Sequence, residues 1–300
     1  MKIWNVFFLL AFVTLDQLYG QNLGHVDSTE ISYSKKNERM FRRSLRGRYL
    51  HLGFGVTSHK LQDFAVSPLY YKGPLLNAGI NYEVQGKDLA WGVFIGGAFG
   101  FIYSEQSSTP TMIINPQIQT YYMRKIKMLT GEKIRSYLGA YIMSGGHFRI
   151  NNGFYNTSAS FYDYVTSYGI AGKINSGFSI KEKVFKWNHQ GDYKSRFVSI
   201  DYQLFIPLIH TYLRPSYAVV ANFPSTETNY TPKMKTVSWG TVARLSSQLN
   251  FTYYLKNNNA FQFSYKWDAY NINPGFNKEG VSSNTYMVSL MFRLNKKTLE

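Results

Sequence analysis

The stretch "GTVARLSSQLNFTYYL" (residues 240–255) has no apolar run and no helical stripe, yet from Trp239 onward every second side chain is apolar or small. A period of two marks a strand with one greasy and one wet face. Soluble sandwiches alternate in shorter strands, with turns about every 8–12 residues. Trp239 and Phe251 lie twelve positions apart. At about 3.3 Å per residue and a tilt of about 45°, that spacing rises roughly 28 Å, close to the ~25 Å apolar band of a membrane barrel. Trp91 and Tyr103 repeat the spacing, and aromatics at both ends of such a stripe suit the two lipid interfaces.

The same period runs through most of the chain after residue 48. Leu50, Leu52, Phe54 and Val56 alternate with His51, Gly53, Gly55 and Thr57. Leu76, Ala78, Ile80, Tyr82 and Val84 oppose Asn77, Gly79, Asn81 and Glu83. Trp91, Val93, Ile95, Phe99, Phe101 and Tyr103 oppose a face of Gly92, Gly96, Ala98 and Gly100, glycines that leave room for bulky Tyr and Phe. Residues 112–124 and 134–144 alternate less cleanly, and 161–186, the weakest region, is divided into two strands. The pattern returns at 196–206, in a shorter strand at 211–220, and at 239–255, 260–270 and 284–294. Together these make about twelve strands, with ten to fourteen compatible, and no helix. "QGKD" (85–88) and "KNNN" (256–259) read as tight turns, whereas 59–73, 104–111, 145–160, 222–237 and 272–283 read as long polar loops at the opposite end.

Composition fits this reading. Aromatics make up 17% of the 300 residues, with 25 Tyr and 22 Phe, and charged residues only 17%, against about 25% in a soluble domain. Cysteine is absent, which removes disulfides and thiolate metal sites. In hydrocarbon an unpaired backbone N–H or C=O costs several kcal/mol, so a spanning sheet must close. The expected fold is all-β, a closed antiparallel transmembrane β-barrel.

Residues 1–20 read as a signal peptide, with Lys2 ahead of an apolar core from Ile3 to Leu15 and Gly20 before Gln21. Residues 21–47 form a basic extended segment, 48–295 the barrel and 296–300 a tail. The net charge is +16, and the run 35–48 alone holds seven Lys and Arg against one Glu. That run is read as a contact for anionic lipid or for a periplasmic or envelope protein, not for nucleic acid, because the chain is exported and carries no reader motif.

Taken together, the leader, the alternation and the loop asymmetry resemble the integral outer-membrane β-barrels of Gram-negative bacteria, in the Tyr- and Asn-rich Bacteroidota style. The closing "TYMVSLMFRLN" is similar to their last strand, although "KKTLE" follows where such chains end on an aromatic. This is a resemblance to a class covering residues 48–295. It implies the cell outer membrane and contact with lipid and lipopolysaccharide, and no functional residue is carried over from it.

The wet faces supply the lumen candidates His51, Glu83, Asp201, Arg244, Lys266, Asp268 and Arg293, read as a charge-selecting pore lining or as a salt-bridge network filling a narrow barrel. His59, His147 and His189 are placed on the outer rim, where "WNHQGD" sets His189 near Asp192, with Asp163 close by. A His–Asp pair there would polarise water for a hydrolase of lipid or peptide. Lys60, Lys72, Arg149, Lys194, Lys233 and Lys235 are placed in outer loops, facing glycolipid phosphates. No His or carboxylate spacing indicates a metal, and no cofactor motif is present. The leading reading is a non-enzymatic outer-membrane barrel, either a narrow channel or a structural or secretion-assembly component. A rim hydrolase and a secreted soluble β-protein are the alternatives.

Overall fold

The computed structural model describes residues 46–65, 67–130, 134–151, 160–183, 193–214, 234–255, 257–274 and 278–294. The leader, residues 35–45 of the basic run, His25, His189, Asp192, Lys233 and the C-terminal tail lie outside them. Eleven strands follow in chain order: β1 Gly47–Asp63, β2 Ser67–Gln85, β3 Leu89–Ser104, β4 Ser107–Lys125, β5 Ile134–Asn151, β6 Ser160–Lys183, β7 Tyr193–Leu213, β8 Lys235–Ser238, β9 Val242–Tyr254, β10 Ala260–Ile272 and β11 Glu279–Arg293. Consecutive strands pair antiparallel from β1 to β7, β7 then pairs with β9, and β11 returns to β1. Ten strands thus close a barrel, and β8 pairs with β7 alone, at Ile209–Tyr212.

The registers define the barrel's size. Stepping from partner to partner, Gly47 leads to Gln85, Ala90, Met123, Gly139, Ala171, Phe205, Ser246, Asp268 and Ser283, and then back to β1 at His59. The walk ends twelve residues beyond its start, so the shear is twelve over ten strands. That combination tilts the strands by about 40° and gives a backbone diameter of about 20 Å, narrow enough for side chains to meet across the middle.

The ten strands differ from the twelve expected at two places. β6 is one strand where two were read, because both of its faces mix apolar and polar residues. β7 is also one strand, Tyr193–Leu213, joining the segment 196–206 to the start of the segment read at 211–220, whose residues 215–220 lie outside the described ones, and a bulge explains the apparent gap. Gly169 pairs with Pro207 and Tyr168 with Ile209, which leaves Leu208 extra. An extra residue changes the facing of everything beyond it. Leu208 and Ile209 are both exposed, while His210 and Tyr212 turn inward.

The ladder also runs through segments read as long loops. β1 and β2 meet across residues 64–66 only, and β3 and β4 across 105–106. Polar residues such as Lys60 and Gln62 keep the strand period beyond the apolar band, so their polarity marks the rise above lipid rather than a loop. Trp239 stands in a turn before β9, its indole N–H donated to the Pro207 carbonyl.

The outer wall is oil. Ile80, Ile95 and Ile118 sit side by side on β2, β3 and β4, at 52%, 57% and 52% exposure, and Phe54 reaches 72%. Apolar area on this scale, repeated around the ring, needs a hydrocarbon solvent. Toward the end holding Gly47 and Arg293 (the terminal end), Tyr82 and Trp91 meet edge-on with ring centres 5.4 Å apart. Higher on the wall, Tyr265 and Tyr286 meet at 5.2 Å. Among the described residues no helix is long and apolar enough to cross a membrane.

Candidate functional site

The inward row of each strand delivers polar and charged groups to the lumen, where they join in three levels. At the lowest, Glu83 on β2 accepts from Lys173 Nζ on β6 at 2.7 Å and from the Tyr121 hydroxyl at 2.9 Å. Lys173 also lies 3.8 Å from Asp201, which accepts from the Asn175 amide. His51 approaches Glu83 at 3.6 Å and Gln262 at 3.3 Å. Gly92 makes this level possible, because a Cβ there would stand 2.9 Å from the Tyr121 ring and hydroxyl.

At the second level, Lys266 on β10 donates to Gln119 on β4 at 3.1 Å, reaching the strand diametrically opposite. Phe94, packed over Gly79 and Gly96, offers its ring to the same ammonium at 5.9 Å. Arg244 clasps Asp268 with two bonds of 3.0 and 2.7 Å, the bidentate fork that suits guanidinium and carboxylate. Ser167 links Arg244 to His210.

The third level lies toward the far end. Arg149 on β5 pairs with Asp63 on β1, with Asp163 at 2.5 Å and with Glu279 on β11 at 3.4 Å. Arg214, brought inside by the bulge in β7, pairs with Asp63 and Glu279. The Phe161 ring supports both guanidinium groups, at 4.7 and 5.5 Å. His147 meets Asp163 at 3.1 Å and the Tyr270 hydroxyl at 2.7 Å, with the His59 ring 5.2 Å away.

Every one of the lumen candidates read from the sequence projects inward. His51, Glu83 and Asp201 share the lowest level, and Arg244, Lys266 and Asp268 the second. Arg293 stands at the terminal mouth, where its guanidinium donates to the Arg46 carbonyl at 2.9 Å. The rim placements change. His59, His147 and Arg149 are buried inside the barrel, because strands β1 and β5 keep their alternation beyond the lipid band. Lys60, Lys72 and Lys235 do face outward.

The groups that sequence reading missed are Asp63, Lys173, Arg214 and Glu279. Asp63 was accessible, since positions 51, 53, 55, 57, 59, 61 and 63 form one unbroken inward row. Lys173 lies in the unreadable β6, and Arg214 depends on the bulge.

Between the levels lie two polar cavities. One of about 60 Å³ is bounded by His51, Glu83, Phe94 and Lys266, and one of about 40 Å³ by His147, Arg244, Asp268 and Tyr270. At about 10–15 Å³ per water, each has room for a few waters.

No protein-family model matches the sequence, and no curated protein does. Among solved structures, the translocator domain of the autotransporter NalP from Neisseria meningitidis is similar over 88% of this chain and 96% of its own, at 8% identity and a TM-score of 0.36. Ail, the attachment invasion locus protein of Yersinia pestis, is similar over 82% and 99%, at 8% identity and a TM-score of 0.32. The toluene transporter TodX of Pseudomonas putida is similar over 82% and 89%, at 7% identity and a TM-score of 0.27. At these values no activity is transferred from them.

Proposed function

We propose that the protein is an outer-membrane β-barrel of the Gram-negative cell envelope that acts as a closed membrane component, structural or part of a surface or secretion assembly, rather than as an open solute pore. One observation carries this reading: at all three levels charged side chains join strands four or five places apart around a ring of ten. The apolar outer wall and the closed ladder support the membrane location. Lys60 and Lys72 are register partners on β1 and β2, both facing outward near the far end. Like charges directly opposite disfavour the pair, and Glu105 relieves Lys72 from one side. Phosphates of outer-leaflet glycolipid would relieve both, and the basic run 35–48 would serve an envelope partner.

A rim hydrolase is the second reading, and the His147–Asp163 contact at 3.1 Å is what favours it. Both side chains are enclosed, and Asp163 is already held by Arg149, which keeps substrate away from the pair.

Planar-bilayer recording tests the closed reading. The intact chain is expected to give no steady conductance in molar KCl. Combining Glu83→Ala, Lys173→Ala and Lys266→Ala removes the two lower crossings and is expected to open small steps. Steady current through the unaltered chain, on the scale of an open porin, would overturn the proposal.

A further inference from the structure

His59 enters the lumen from β1 and is fully enclosed, yet neither of its ring nitrogens has a hydrogen-bond partner among the described residues. Buried polar atoms are ordinarily satisfied, and an unmet one is costly. Its neighbour is His147, with ring centres 5.2 Å apart and the planes inclined at 52°. The Nδ1 of His147 is committed. Asp163 Oδ1 stands 3.1 Å from it and the Tyr270 oxygen 2.7 Å. A carboxylate oxygen so close can only accept, and a proton on Nδ1 directed at it would leave a lone pair at Nε2. That Nε2 also lacks a partner among the described residues.

A histidine whose distal nitrogen is held by a carboxylate is the usual preparation of an imidazole for metal binding. The spacing agrees. Two imidazoles on one tetrahedral ion, with nitrogens about 2.0–2.1 Å from it, place their ring centres roughly 5 Å apart. A ring nitrogen of His147 and oxygens of Asp163 and Glu279 also lie within 4.8 Å of one another.

We propose that His59 and His147 bind a divalent transition-metal ion near the far end of the lumen, with zinc as its type. Asp163 and Tyr270 are positioning residues for His147. Glu279, an oxygen of which lies within 4.8 Å of a His147 ring nitrogen, is the further oxygen ligand the site offers. Calcium and magnesium are disfavoured, because they take oxygen ligands and leave imidazoles unused. The inference is independent of whether the barrel conducts.

The test uses the full chain, refolded in detergent, stripped of metal and titrated with zinc chloride in a calorimeter. One zinc per barrel is expected, and cobalt(II) should give the visible absorption of a tetrahedral site. His59→Gln and His147→Gln are each expected to weaken binding at least about tenfold, on the scale seen when even supporting groups around a metal are lost. His210→Gln should leave binding unchanged. His59 has no hydrogen bond among the described residues to lose, so His59→Gln decides the matter should His147→Gln fail to fold. No saturable uptake at millimolar zinc would sink the proposal, as would parental affinity in folded His59→Gln, and a purely octahedral cobalt spectrum of the unaltered chain would reject the tetrahedral site that the ring spacing implies.

Discussion

Replacing Lys173 with alanine is expected to lower the stability of the barrel by about 3–5 kcal/mol, the range for breaking a buried ion pair on one side. The lysine side chain is 2% exposed, and it is the cation shared by Glu83 at 2.7 Å and Asp201 at 3.8 Å. Its removal leaves two enclosed carboxylates without that neutralising charge, and Tyr121, Asn175 and Gln85 supply hydrogen bonds but no compensating charge. The loss should show as a lower urea midpoint, with folding read from heat-modifiable migration on a gel. The design includes its own control. Lys173→Met combined with Glu83→Gln and Asp201→Asn removes all three charges together, and most of the lost stability should return, because an apolar or neutral replacement of a buried ionic cluster is often harmless. If Lys173→Ala matched the parent, the lowest level would contribute nothing to holding the barrel.

A second large effect is expected on the other side of the same wall. Ile95→Arg should destabilise the folded barrel in lipid by about 2–4 kcal/mol, the range for arginine near the bilayer midplane. Ile95 is flanked by Ile80 and Ile118 in register, so the new charge would have oil on both sides. In a water-soluble protein a substitution at a position this exposed would change stability by about 0.5 kcal/mol at most. Comparing urea midpoints in lipid vesicles therefore separates the membrane barrel from the secreted soluble alternative. A midpoint equal to that of the parent would remove the lipid-facing assignment.

The facing of side chains was legible wherever one row is wet and the other greasy. β10 reads Phe261, Phe263, Tyr265 and Trp267 against Gln262, Ser264, Lys266 and Asp268, and the structure keeps that division. β6 was illegible for a physical reason. Its inward row holds Phe161, Val165 and Ala171 beside Asp163 and Lys173, because a filled lumen accepts apolar as well as polar groups. The bulge at Leu208 was hidden because one inserted residue looks like the end of one strand and the start of another. The pairings of the lumen were beyond the sequence altogether. Lys173 and Glu83 are 90 positions apart, and Lys266 and Gln119 are 147 apart. What joins each pair is the circumference of the barrel, which depends on registers summed over all ten strands.

That summed register also constrains how the interior could ever change. Widening a closed ring would require slipping a strand past its neighbour, which breaks the ladder along the seam and, for a slip of one residue, exchanges the oily and wet rows. Adding a strand to the ring would break a seam as well. The wall is therefore a fixed bore. Anything that travels along the axis must do so by swinging Lys173, Lys266 or Arg149 aside one rotamer at a time, so the valves of this barrel are single side chains and its hinges are carbon–carbon torsions.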